Sequence, residues 1–150
     1  MPASFLMGLA LMLSGCGSDI SSSSVTTGLT LDCAVFQATV NSIFDQNIGG
    51  KTCSASGCHN VVGGTGGAFK IYPNAVAATA QMQANYLAAK GFSNLTSPVN
   101  SKLLLEPLTG SQSIVGSHAG GDIFNTGDPE YVTILNWIST RIQGPSSCVP

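Results

Sequence analysis

The seven residues Cys53-Ser54-Ala55-Ser56-Gly57-Cys58-His59 constrain this chain more than any other stretch. Two cysteines followed at once by a histidine form the signature of covalent haem c attachment. Each thiol can add across a haem vinyl group, and the adjacent His59 imidazole can then bind the iron from one face. The common motif has two residues between the cysteines; here there are four. The Cys-His step is the demanding part, because it tethers the ligand beside the second thioether. Eighteen glycines in 150 residues imply many loops, as expected where a large prosthetic group fills the core.

Two other chemistries fit the same residues. Cys53 and Cys58 could close a small disulfide loop with His59 exposed. They could also contribute to a zinc site with His118, although structural zinc takes four protein ligands and no second cysteine pair stands at metal spacing. Haem is the preferred expectation.

The N-terminal stretch bears on location. Residues 4–15 are almost wholly apolar or small and end in Leu13-Ser14-Gly15-Cys16. A dozen apolar residues are too few to span a bilayer and suit a signal-peptide core. Leu-Ser-Gly-Cys resembles the bacterial lipobox, in which cleavage precedes the cysteine and that cysteine, here Cys16, carries lipid. The alternative is a buried apolar helix. The lipobox reading implies export, with a membrane reached through the lipid anchor at the periplasmic or cell-surface face. Aspartate is absent after Cys16, which favours the outer membrane.

Residues 17–31 are rich in Ser, Thr and Gly, including Ser21 to Ser24 in a row. Such a segment buries too little apolar surface to order itself. The expected organisation is a signal peptide at 1–15, a lipidated tether at 16–31 and one domain at 32–150. Formal net charge is −2 and 8% of residues are charged. No basic patch suits nucleic acid, and long-range steering of a partner is weak.

Cysteine arithmetic leaves a pair. With Cys16 on lipid and Cys53 and Cys58 on haem, Cys33 and Cys148 remain, and an oxidising compartment makes a disulfide the natural assignment over two free thiols. That bond requires the two Cα atoms to come within about 7 Å, so the first and last helices should touch.

Helix signals agree. Asp32 can cap a helix running to Gln46, with Val35, Phe36, Val40, Ile43 and Phe44 on one face. Asn74 can cap a second helix over 75–90, which Gly91 would stop. Residues 101–105 suit a short turn before Pro107. Asp128-Pro129-Glu130 opens the last helix with a cap, a first-turn proline and an acid. Its stripe is Tyr131, Ile134, Leu135, Ile138 and Ile142, and it breaks at Gly144-Pro145. No alternating strand pattern of useful length appears, so the expected fold is mostly α.

The order of first helix, Cys-Cys-His motif, glycine-rich loop, middle helix, ligand loop and a last helix bearing Trp137 resembles a class I type monohaem cytochrome c domain over residues 33–142. It is most similar to exported bacterial members whose last helix starts with Asp-Pro and carries a Trp-Ile pair, here Trp137-Ile138. The resemblance implies a small helical domain wrapped around one haem c, with N- and C-terminal helices in contact. It also implies a methionine as distal iron ligand, in the loop before the last helix.

Here this chain departs from the pattern. Beyond the signal the methionine is Met82, within the middle helix, while His118 stands in Gly116-Ser117-His118-Ala119-Gly120-Gly121. That is where the family's distal ligand sits, and glycines let the backbone approach a haem closely. His118 is the expected distal ligand, with Met82 or an open site as alternatives. Bis-histidine ligation gives a lower potential than histidine–methionine, because a thioether favours reduced iron.

Other features have structural explanations. Trp137 suits haem-edge or core packing. Tyr72-Pro73 suits a cover on the haem, and Phe44, Phe69 and Phe124 suit its walls. Gly63-Gly64 and Gly66-Gly67 resemble a phosphate loop only superficially, since no strand precedes them and no Lys-Ser/Thr follows. Two histidines leave little material for acid–base catalysis, so no enzyme activity is expected. The function expected is single-electron transfer to a redox partner protein, within a lipid-anchored carrier or an assembly with other cytochromes. The alternatives are a haem-based sensor or peroxidase with an open iron site, and a haem-free, disulfide-stapled binding lipoprotein.

Overall fold

The computed structural model describes residues 28–110, 118–144 and 147–149. The expected signal peptide, the expected lipidation at Cys16 and most of the expected tether lie outside the described residues. The described residues form four helices and one short two-stranded sheet. No helix among the described residues is long and apolar enough to cross a membrane.

Helix α1 covers residues 33–45, with an α-helical turn at Cys33–Val35, a π-helical stretch at Phe36–Val40 and a return to α-helix at Asn41–Asp45. Asp32 caps it, its carboxylate accepting the Val35 N–H at 3.1 Å. Phe36, Val40, Ile43 and Phe44 are buried, but Val35 is 40% exposed. One residue is about a 100° step around a helix, which carries Val35 off the stripe that Phe36 begins.

Helix α2 spans Ala80–Gly91 and starts later than the Asn74 cap suggested. Asn74 and Ala78 have φ of 52° and 61°, in the left-handed region that a right-handed helix excludes. Side chains of α1 capture this segment first. Asn74 N–H donates to the Asp45 carboxylate, and Ala78 N–H donates to the Gln37 amide oxygen, each at 2.9 Å. The cap is Thr79, whose hydroxyl accepts the Met82 N–H at 3.2 Å. Tyr72 is held against α2 through its N–H, which donates to buried Asn85 at 2.8 Å. It is not a wall of the cleft described below.

A 3-10 turn at Pro98–Asn100 leads into the short α3, Lys102–Leu105. Helix α4, Pro129–Ser139, begins at the Asp-Pro-Glu signal. It ends before Ile142, which lies instead in a strand, β2 (Arg141–Gln143). That strand pairs antiparallel with β1 (Leu29–Leu31), Thr30 opposite Ile142. The sheet corrects two expectations, the absence of strands and a tether reaching Leu31. Leu31 is fully buried, so the ordered unit starts before Asp32. Three-residue strands carry too few side chains for an alternation to register.

The core joins α1, α2 and α4. Phe36 packs 5.2 Å from Trp137 and 5.6 Å from Tyr86, centroid to centroid. Trp137 Nε1 donates to the Asp32 carbonyl at 2.8 Å, tying α4 to the start of α1. Trp137 is thus a core residue at the contact of first and last helices. Cys33 and Cys148 are joined as a disulfide with Cα atoms 5.4 Å apart, across 115 positions of sequence.

Candidate functional site

Residues 52–59 fold back on themselves. Ala55 N–H donates to Thr52 O, Cys58 N–H to Ala55 O and His59 N–H to Cys53 O, at 3.1, 2.9 and 2.9 Å. The four-residue spacer is therefore taken up as compact turns. Ser54 N–H donates to Phe44 O at 2.9 Å, which fastens the motif to the end of α1. Cys53 and Cys58 are both free thiols, and no disulfide joins them. Cys53 is buried, and burial, with the nearby Cys58 thiol adding to it, pushes its pKa from 9.0 to about 11.

His59 and His118, 59 positions apart in sequence, meet. Their ring centroids are 5.8 Å apart and their planes 28° from parallel. His59 Nδ1 lies 2.8 Å from the Phe69 carbonyl, and His118 Nδ1 lies 3.2 Å from the Gly121 carbonyl. A carbonyl only accepts, so each Nδ1 carries a proton, an arrangement that in the neutral tautomer leaves the lone pair on Nε2. Metal-bound histidines are oriented in this way, by giving the other ring N–H to a carbonyl or carboxylate. A metal held coaxially between two imidazoles, at about 2.0 Å from each nitrogen, separates the centroids by about 6.3 Å. The observed pair is within about half an ångström of that.

Hollows flank the pair. On one side lies an apolar cleft whose walls include Phe44, Cys53, Phe69, Phe92, Leu103, Phe124 and Ile134. On the other lies a hollow lined by Cys58 with Gly57, Thr65, Gly66, Ala119 and Gly120. Both histidines line both hollows, and each hollow holds one cysteine. Phe69 braces His59 edge-on at 5.0 Å, and Phe44 and Phe92 stand 5.6 and 5.2 Å behind it. Lys102, the first residue of α3, and Glu106, just after its end, are charged residues lining the apolar cleft. Met82 is buried in α2 and lines neither hollow.

Among the described residues no group of three or more His, Cys, Asp or Glu side chains is arranged to hold a metal. A covalently attached macrocycle would be held here by the two imidazoles, the two thiols and the apolar walls.

The composition of the loop 63–67 hid one group of contributors. A Cβ on Gly66 would stand 2.4 Å from His59 Nδ1 and 2.9 Å from the Cys58 carbonyl. On Gly64 it would stand 2.4 Å from the Asn60 carbonyl. These glycines let the loop close on His59 and on the backbone of Cys58 and Asn60, a role that a phosphate-loop comparison conceals. Phe92, Leu103 and Ile134 also line the cleft, and nothing local in the sequence separates an apolar cleft wall from ordinary core.

No family model matches this chain, and no curated protein or solved structure shows significant similarity to it.

Proposed function

We propose that this protein carries single electrons through one haem c attached at Cys53 and Cys58, with His59 and His118 as axial ligands. The observation that carries this reading is the His59–His118 pair: two imidazoles with ring centroids 5.8 Å apart, each pinned through Nδ1, lining hollows that each hold a thiol. When bound, such a group supplies a ferric/ferrous couple with both axial positions filled by protein. The chain's own part is to hold both rings still, so that little rearrangement accompanies the change of charge. Phe69 and its carbonyl fix His59; Gly121 fixes His118. The apolar walls keep water from the pair and favour the less charged state.

The resemblance to class I monohaem cytochromes c rests on this site together with the contact of first and last helices. Export is supported by the Cys33–Cys148 disulfide, which suits an oxidising compartment. A lipid anchor at Cys16 and docking of a redox partner protein complete the proposal.

The test is an absorption spectrum of protein matured with the haem c attachment machinery, before and after acid–acetone extraction. A c-type spectrum that survives extraction and shows no far-red methionine–iron band is expected, with His118→Ala altering both spectrum and midpoint potential. Colourless, folded protein would end the haem reading. An unchanged spectrum and potential in His118→Ala would remove His118 as ligand.

A further inference from the structure

The turn that carries His118 is closed largely on itself. Gly121 N–H donates to the His118 carbonyl at 2.7 Å, and His118 Nδ1 returns a hydrogen bond to the Gly121 carbonyl. Just downstream the chain is stitched to the segment after α3. Ile123 and Phe124 N–H both donate to the Pro107 carbonyl, at 2.9 and 3.0 Å, and Gly110 N–H donates to the Asp122 carboxylate at 3.1 Å. None of these bonds reaches the Cys53–His59 side of the site, so none sets the distance between the two imidazoles.

Lys51 does. Its ammonium donates to the Asp122 carbonyl at 3.1 Å, across 71 positions of sequence. The lysine starts two residues before Cys53 and its backbone is fixed. Ile48 and Lys51 exchange both backbone hydrogen bonds around Gly49-Gly50, which have φ of 59° and 83°. This is the tight two-residue turn that requires positive φ at both central positions. Its lysine side chain runs over Gly121, where a Cβ would stand 2.9 Å from Cε and closer still to Nζ. A bare α-carbon at Gly121, with φ of 82°, is what lets the lysine cross.

We propose that Lys51 is a positioning residue for the distal ligand, a clip that carries the rigid turn before Cys53 across to the His118 loop and holds His118 opposite His59. The proposal rests on the reading of His118 as an iron ligand. The clip acts by restraint: with it in place, His118 that leaves the metal is returned to the same spot. Without it, the hydrogen bonds that anchor the 118–122 turn among the described residues come from the Pro107 side. An ordinary exposed lysine has no such consequence, which separates this role from solubility or surface charge.

The experiment compares the full-length, haem-loaded protein with its Lys51→Met and Lys51→Arg variants. The first readout is the rate at which carbon monoxide displaces the distal ligand from the reduced protein. Loss of one partly exposed charged hydrogen bond should raise that rate roughly threefold to tenfold in Lys51→Met, while Lys51→Arg, which can still donate, stays near the unaltered rate. Lys90→Met serves as a control for lost charge, because Lys90 donates to Thr30 on the far side of the core. The second readout is amide hydrogen exchange at Gly121 in haem-free protein, expected to speed up in Lys51→Met alone. Equal displacement rates and equal exchange in Lys51→Met and unaltered protein would overturn the clip while leaving bis-histidine ligation standing. An unaltered protein whose spectrum lacks bis-histidine ligation would overturn both.

Discussion

Gly66→Ala adds a single methyl group, and the site predicts a large effect from it. The new Cβ would lie 2.4 Å from His59 Nδ1, 2.6 Å from Cε1 and 2.9 Å from the Cys58 carbonyl oxygen. Ordinary carbon–nitrogen contact needs about 3.4 Å or more, so the His59 ring must retreat by about 1 Å. It has nowhere to go. Phe69 stands against it at 5.0 Å between centroids, and its Nδ1 bond to the Phe69 carbonyl is 2.8 Å long. Stretched by about 1 Å, that contact is no longer a hydrogen bond. Overpacking costs about 1–3 kcal/mol and the lost bond about 0.5–1.5 kcal/mol, so the expected destabilisation is about 2–4 kcal/mol. Two neighbours calibrate it. Gly67 has nothing within 4 Å of its would-be Cβ but a φ of 64°, so Gly67→Ala isolates backbone strain of about 1 kcal/mol. Gly91, at the end of α2, has neither restriction, and Gly91→Ala should be neutral or stabilising by up to about 1 kcal/mol. Urea unfolding of the three variants gives the ranking, and the yield of covalently attached haem gives the functional consequence. If Gly66→Ala unfolds at the same urea concentration as Gly91→Ala, the close packing of the 63–67 loop on His59 is refuted.

Two further outcomes follow from the cysteines. Breaking the Cys33–Cys148 bond, which spans 115 positions, frees the unfolded chain by about 4.8 kcal/mol in the entropic account. Paired serine replacements should therefore lower the melting temperature markedly, and an unchanged melting curve would mean that the ends are held by packing alone. Burial raises the Cys53 thiol to about 11 against 9.0 in the unfolded chain. The folded, haem-free state thus holds its proton more tightly, so Cys53 contributes stability that is complete below about pH 9 and lost as pH rises toward 11. At pH 8 its thiolate fraction is about one hundredth of that of an unburied thiol of pKa 9.0. Alkylation of folded protein by iodoacetamide should be slow at Cys53 and recover on unfolding; equal rates in the two states would count against its burial.

Much of the chain's local structure was legible before any fold was known. Asp32 and Asp128-Pro129 marked the starts of α1 and α4, because a cap and its first turn lie within four residues of each other. The Cys53–His59 stretch stood out as a candidate site for the same reason, since thiol, thiol and imidazole are close in sequence. Phe44, Phe69 and Phe124 were candidates for cleft walls on residue type and position, and all three line the cleft.

Other features depended on residues far away. The start of α2 moved from Asn74 to Thr79 because Asp45 and Gln37, 29 and 41 positions upstream, take up the Asn74 and Ala78 N–H groups. Trp137 took its place in the core because its indole meets the Asp32 carbonyl 105 positions back. What the sequence alone determined is the inventory: which residues can ligate, where helices begin, which side chains are apolar. Tertiary structure alone decided that His118 rather than Met82 faces His59, that Gly66 is bare because an imidazole occupies its Cβ position, and that Lys51 reaches the distal turn. Propensity and capping act over one or two turns of chain, whereas the spacing of two imidazoles is fixed by contacts between segments that only folding brings together.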